Sequence, residues 1–415
     1  MKKRVLFLIP LLAISLLSAS CYKEELPYTP TASTRLITTE GVRHSGWNTF
    51  VSNEGYVVSS TEFDVSLYGA AKYNLATGTL TPACLLPDCG HDNHTIPSLE
   101  GEPCRIPQNC RLHFMQDSKV FLTYSIGELM EGTTGRGNVQ PVQIFAYYDL
   151  ATGKHKDLLT VRYGGEQAQL HNTFIAHDYC IFYTRYVAKC EDPTSTEDYA
   201  LSLCRMKMGE YTEEILFDLS RACSAEHNRL LRPLAIESDR VFLLAQDTGR
   251  ILSIALNGTD CHYLLDGTDG VRVNPSASVF YHEGFVYFLS YTDKYKQRLY
   301  RLNCESSEHR QLTDDDIVQL FVCDQGIYYQ PDEGQAAPLT IKQMRHDGTQ
   351  ATALPIRFDN LVLAHNTEIW GGGEYLFLPV QEFDAEQERY GDRYTILCHV
   401  SSGAVITLGR DEPIA

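Results

Sequence analysis

The chain has 415 residues, with 53 acidic side chains against 35 Lys and Arg and a net charge of −18. The acidic residues are scattered and no basic block offsets them, which excludes a nucleic-acid partner and a polybasic membrane-surface patch. The 25 Tyr and 17 Phe fall largely in short alternating runs, the pattern of strands.

At the amino end, Met1-Lys2-Lys3-Arg4 leads into an apolar run from Val5 to Leu17 and then Ser18-Ala19-Ser20-Cys21. A basic head, a short apolar core and a small-residue exit are the parts of a secretory signal. The run is shorter than the roughly 20 residues that span a bilayer as a helix. The exit resembles the lipobox of bacterial lipoproteins, with Ser18 where Leu is usual and Leu17 one step earlier. That resemblance implies a lipoprotein signal peptide over residues 1–20. Cys21 would then carry palmitate-type chains and become the first residue, on the extracytoplasmic face of a bacterial membrane. Ordinary secretion with cleavage after Ala19 or Ser20 is the competing reading. Residues 21–34, with recurrent Pro and Thr and no periodicity, read as a flexible tether. Residues 35–415 exceed one ordinary compact core, so two domains or one large repetitive domain is expected.

A repeat organises that folded part. Ser278 to Leu289 is two apolar-aromatic runs around a polar-Gly turn, the signature of a β-hairpin, and Arg298 to Leu312 supplies a second pair of strands. Turn formers precede β-rich runs in the same way at Ser52 to Val58, Gln116 to Leu122, His177 to Tyr183, Ser238 to Leu244, Asp324 to Tyr329 and Gly371 to Phe377. Outer turns repeat too. Tyr73-Asn74-Leu75-Ala76-Thr77-Gly78 is nearly copied by Tyr148-Asp149-Leu150-Ala151-Thr152-Gly153, and Asn257-Gly258-Thr259 by Asp347-Gly348-Thr349. Asn-Gly and Asp-Gly predict type I′ turns there. Seven four-stranded units, about 60 residues apart early and about 45 later, predict an all-β fold. The predicted architecture is a single β-propeller, most simply of seven four-stranded blades. A pair of β-sandwiches is the competing architecture. Ring closure is expected from Arg35 to Thr39 adding a strand to the last blade near Ala404 to Leu408.

The unit resembles bacterial lipoprotein propellers of the TolB-like and lipoprotein-receptor-like type, from about Trp47 to Leu408. The resemblance implies a binding platform without naming a ligand. The receptor motif Tyr-Trp-Thr-Asp has only an echo here, Ser290-Tyr291-Thr292-Asp293, and no receptor-like ligand carries over.

After the first unit the repeat is interrupted over residues 84–110 by Cys84, Cys89, His91, Cys104 and Cys110. Cys84, Cys89, His91 and Cys104 could close tetrahedrally on zinc. Disulfides such as Cys89–Cys104 or Cys84–Cys110 would instead staple a strandless loop, and unbonded thiols are a third possibility. The insert also resembles a Cys-x-Asp-Pro-x-Cys-x-His segment of clostridia-type lipoprotein propellers, with Leu85-Leu86-Pro87-Asp88 replacing the Asp-Pro order. Of the 13 cysteines, 12 remain once Cys21 is lipidated, an even number in a compartment where disulfides form. Cys180, Cys204, Cys323 and Cys398 sit in apolar runs and read equally as small buried hydrophobes.

Other local features are bland. Asp314-Asp315-Asp316 reads as a solvated turn rather than a cation site. Gly371-Gly372-Gly373 lacks the strand-to-helix context of a phosphate loop and reads as a hairpin turn. His171, His177 and His282 precede strands and are expected to cap turns. Neither a Gly-x-Ser-x-Gly elbow nor His-Glu-x-x-His occurs. The expected function is a lipid-anchored, non-catalytic binding or scaffolding module for a protein, peptide or glycan. The alternative is an envelope glycan-active hydrolase or lyase, to be recognised by carboxylates and Arg or His converging at one mouth of the channel. The lipid reading has a direct test. Cys21→Ala should move the protein from the membrane to the soluble fraction, and a fatty-acid label should enter the wild type alone. An unlabelled wild type refutes the anchor.

Overall fold

The computed structural model describes residues 36–38, 41–42, 49–51, 56–59, 71–75, 79–84, 110–129, 139–162, 170–188, 199–223, 231–292, 296–334, 339–358, 360–364, 368–372, 375–384 and 389–408. Cys21, Cys89, His91 and Cys104 lie outside the described residues. Among the described residues, helix is confined to a single turn, α1 (Leu219–Ala222), and no helix is long and apolar enough to cross a membrane.

Two short strands open the chain, β1 (Leu36–Thr38) and β2 (Gly41–Val42). The first sheet follows, with β3 (Thr49–Val51), β4 (Tyr56–Ser59), β5 (Ala71–Asn74) and β6 (Leu80–Pro82). The second has β7 (Arg111–Gln116), β8 (Lys119–Leu129), β9 (Val139–Asp149) and β10 (His155–Arg162). The third has β11 (Leu170–His177), β12 (Cys180–Ala188), β13 (Tyr199–Lys207) and β14 (Glu213–Asp218). The fourth has β15 (Leu231–Glu237), β16 (Arg240–Ala245), β17 (Arg250–Ala255) and β18 (His262–Leu265). The fifth has β19 (Val279–His282), β20 (Phe285–Tyr291), β21 (Gln297–Asn303) and β22 (His309–Gln311). The sixth has β23 (Ile317–Cys323), β24 (Gly326–Pro331), β25 (Leu339–Met344) and β26 (Thr352–Phe358). In the last, a first strand split into β27 (Leu361–Leu363) and β28 (Trp370–Gly372) pairs with β29 (Tyr375–Asp384), followed by β30 (Arg389–His399) and β31 (Val405–Leu408).

Each sheet is an antiparallel meander. The first strands of successive sheets stand beside one another in the order β3, β7, β11, β15, β19, β23, β28, and β28 returns to β3. An all-β chain of repeated antiparallel sheets in this order is consistent with a β-propeller.

Burial explains why second strands such as β16 and β20 are largely apolar. Val241 to Ala245 of β16 and Val286 to Ser290 of β20 are buried without alternation, because a neighbouring sheet covers each face. The outer strands β14 and β22 have no fully buried residue. Aromatic rings fill the space between sheets. Phe145 and Phe174 stack at 4.0 Å and Phe242 and Tyr281 at 5.5 Å, while Phe280 meets Phe321 edge-on at 5.7 Å.

The first hairpins fall at the expected turn formers and have two-residue loops. Glu283 and Gly284 both take positive φ between His282 and Phe285, as do Asp178 and Tyr179 between His177 and Cys180. The Asn-Gly and Asp-Gly turns differ from the type I′ expectation. Only Gly258 and Gly348 take positive φ there. The Asn257 side chain accepts bonds from Thr259 N and Oγ1, and Asp347 does the same for Thr349. This places the left-handed residue second, as in a three-residue loop with a bulge, and accounts for the repeated Thr.

Closure also differs from expectation. β1 pairs antiparallel with β7, Leu36 opposite Gln116, and not with β31. β2 pairs with β19, Val42 opposite Val279. The two strands therefore occupy the inner edges of the second and fifth sheets, and they also touch β11 and β15. An inner edge is the costlier one to leave unpaired, because its N–H and C=O groups face a confined channel rather than open solvent. Deleting residues 36–42 removes five ladder pairs and should cost about 3 kcal/mol, read as a melting transition lowered by a few degrees. An unchanged transition would show that these strands carry no stability.

Candidate functional site

Antiparallel meanders place two kinds of connection at the same end, the one between second and third strands and the one leading to the next sheet. At that end the β8–β9, β12–β13 and β29–β30 hairpins run on to Leu129 opposite Val139, Ala188 opposite Tyr199, and Asp384 opposite Arg389. A pocket of about 990 Å³ opens there between the fifth, sixth and last sheets.

Its walls come from connections. Asn274 to Ser278 precede β19, Tyr291 ends β20 and Gln297 begins β21, and Gln330 and Pro331 end β24 with Asp332 to Gly334 after it. Gln381, Tyr390 and Arg393 come from the long β29–β30 hairpin, and Gln319 from β23. The break between β27 and β28 supplies Glu368. That break matters locally. It lets Ile369 N donate to Gln319 Oε1 at 2.9 Å, and it brings Glu368 Oε1 to accept from Ser278 Oγ at 2.6 Å.

Carboxamides dominate the polar surface. Asn274 Nδ2 donates to Gln297 Oε1 at 2.7 Å, and Gln381 Nε2 to Gly391 O at 3.1 Å. The Gln330 Oε1 acceptor is buried with no hydrogen-bond partner among the described residues. Tyr291 and Tyr390 are 48% and 50% exposed, large rings displayed rather than packed.

Two guanidiniums approach the same end. Arg111 begins β7 and Arg232 lies at the start of β15. Burial holds the Arg111 pKa below its ordinary value, with Glu368 opposing the shift. Burial and the nearby Arg111 charge lower that of Arg232, and Arg232 Nε is buried with no partner among the described residues. Burial, reinforced by Arg111, pushes His113 well below the usual imidazole range, so it is neutral at pH 7. Its Nε2 lies 2.9 Å from Thr123 Oγ1 and its ring packs on Phe174, which removes it from the mouth.

Of the residues singled out in the insert, Cys84 and Cys110 are described. They join the apolar cluster of Leu112, Leu122 and Tyr148, where the first sheet hands over to the second. No cysteine pair among the described residues is at disulfide bonding distance, and no group of three His, Cys, Asp or Glu is placed to hold a metal. Cys204 and Cys398 are fully buried, as small hydrophobes are.

The aspartate run differs from a solvated turn. Asp314 is exposed, but Asp315 accepts from Lys342 Nζ at 2.9 Å and Tyr329 OH at 2.8 Å. Asp316 pairs with Arg298 and Lys296, at 2.9 and 3.2 Å. Arg298, Tyr329 and Lys342 sit on β21, β24 and β25, and Lys296 immediately before β21, so nothing local in the sequence announces them. Gly371 and Gly372 end β28 and lead into a hairpin, and a Cβ on Gly371 would stand 2.5 Å from Tyr375 O. His177 and His282 flank hairpin turns as expected, but His282 also stacks on His346 at 4.2 Å, a contact between sheets that single-unit reading misses.

The fold and this end of it define an all-β repeat protein with a polar, aromatic-rimmed pocket. No protein-family model and no curated protein sequence matches the chain. Among solved structures it is similar to an oligogalacturonate lyase in complex with manganese, at 11% identity and a TM-score of 0.49, over 91% of this chain and 93% of that one. It is similar to a puromycin hydrolase at 10% identity and 0.49, over 91% and 58% of the two chains. Similarity to TolB from Acinetobacter baumannii is 11% and 0.31, over 69% and 68%.

One consequence of burial is measurable at the border of the insert. Desolvation pushes the Cys110 thiol up to about 12. Native protein at pH 8 should alkylate at Cys110 far more slowly than denatured protein, in a time course read by mass spectrometry. Equal rates would mean that the thiol is not buried.

Proposed function

We propose that the chain is a lipid-anchored, extracytoplasmic propeller of seven blades whose pocket binds a polyhydroxylated ligand, a segment of an envelope glycan. The carrying observation is the set of carboxamides, Asn274, Gln297, Gln319, Gln330 and Gln381, beside two displayed tyrosine rings. A carboxamide both donates and accepts, as a sugar hydroxyl does, and a ring face covers the C–H face of a pyranose. A peptide ligand would instead favour an unpaired strand edge or a continuous apolar groove.

A second reading, a glycan-cleaving enzyme, has its own support in Glu368 approached by Arg111 at the mouth. Two carboxylates are the usual requirement for glycoside hydrolysis, and Asp332 or Glu333 on the pocket wall would supply the second.

Titrating soluble oligosaccharides, neutral and acidic, into the purified protein tests both. Binding should weaken about tenfold in Tyr390→Ala and in Tyr291→Ala, equivalent to about 1.4 kcal/mol each. Wild-type affinities unchanged in both variants would exclude this pocket. New reducing ends that appear with wild type and vanish in Glu368→Gln would establish the enzyme, and their absence with a bound glycan leaves a binding module.

A further inference from the structure

Two thiols from neighbouring sheets meet at the rim. Cys223 closes α1, its N–H donating to Leu219 O at 2.8 Å, and it is 3% exposed. Cys261 stands immediately before β18 in the fourth sheet and is half-buried. Their sulfurs are 3.3 Å apart. Both pack on the apolar cluster that contains Leu219 and Ile254.

The backbone is pinned on either side of this contact. Arg240 donates to the Asp260 carboxylate at 2.7 Å and to the Asp260 carbonyl at 2.8 Å, holding that residue at a φ of 53°. The same guanidinium is fixed by Ser253 Oγ at 2.6 Å. Gly258 presses so closely on Phe217 that a Cβ there would lie 2.9 Å from the ring. Across the contact, Asp218 caps α1 by accepting from Arg221 N at 3.2 Å, and Ser220 Oγ accepts from Leu201 N at 2.9 Å. The two cysteines are thus presented to each other by a capped helix turn and a clamped hairpin.

We propose that Cys223 and Cys261 form an oxidisable pair that closes to a disulfide between the third and fourth sheets. A bond requires a sulfur separation of about 2.0 Å, a change within reach of side-chain torsions. The oxidant is a low-molecular-weight or protein disulfide. The Cys261 thiolate, the more accessible of the two, attacks it to give a mixed disulfide and one released thiol. Cys223 then displaces the second thiol. Two S–H bonds are lost and one S–S bond forms, while two electrons and two protons reduce the oxidant disulfide to two thiols. Cys204 and Cys398 do not compete, since burial pushes both thiols up to about 12 and leaves little thiolate.

The test uses the purified chain, reduced and then equilibrated with glutathione disulfide, alkylated with iodoacetamide and digested with trypsin without reduction. The expected product joins the peptide 222–229 to the peptide 251–272 at two hydrogens below their summed mass. In Cys261→Ser the 222–229 peptide should carry the alkyl group instead. Wild-type protein with both peptides alkylated after oxidation overturns the proposal. A second measurement needs no variant to fold well: dithiothreitol should lower the melting transition of oxidised wild type, and an oxidised sample indifferent to it also counts against the pair. Oxidation is imposed in the tube, so neither outcome depends on where the protein resides or on what the pocket binds.

Discussion

Coverage of both faces of every sheet is the constraint from which the structure follows. A lone meander of four strands would leave the apolar sides of β16, β20 and β24 in water. Stacking sheet on sheet removes them, and the stack has no exposed end once β28 stands beside β3. The aromatic residues are therefore spent mainly between sheets, as Phe145 on Phe174 shows. Rings left outside that interior, such as Tyr291 and Tyr390, stand out because packing does not require them there.

The pocket lies where the repeat is broken. An uninterrupted first strand in the last sheet would continue the ladder between Leu363 and Trp370. The chain departs instead, and Glu368 arrives beside Ser278 of another sheet. Extended β29–β30 strands add Tyr390 and Arg393 to the same wall. The rest of each sheet supplies a rigid base, so departures in the last sheet, facing the ordinary connections of its neighbours, suffice to build a concave polar surface.

Much of the fold was legible because each unit carries its own turn chemistry. Asp117, Ser238 and Glu283 each sit in a tight loop at the place where a turn former precedes a β-rich run, and each takes a left-handed backbone. What stayed hidden depends on partners far along the chain. The pairing of Leu36 with Gln116 has no local signature, since strands of three residues or fewer carry no periodicity. The same holds for Asp315 with Lys342, for Arg111 near Glu368, and for the meeting of Cys223 and Cys261. The pocket carboxamides were invisible for a related reason. Asn and Gln are ordinary loop residues, and only the folded arrangement makes five of them neighbours.

The pairing of β2 with β19 bears on the order of assembly. Gly41 leaves the ribosome, and any export channel, long before Phe280, its ladder partner. Sheets one to four can meander into place as they emerge, each closing local hairpins. Strand β2 must wait, with open backbone groups, until the fifth sheet exists to receive it, whereas β1 finds its partner β7 as soon as the second sheet forms. Contacts of such separation are slow to form, and the waiting segment is a natural target for a holding chaperone. The two neighbouring strands of the amino end are therefore secured at different times, β1 by the second sheet and β2 only by the fifth.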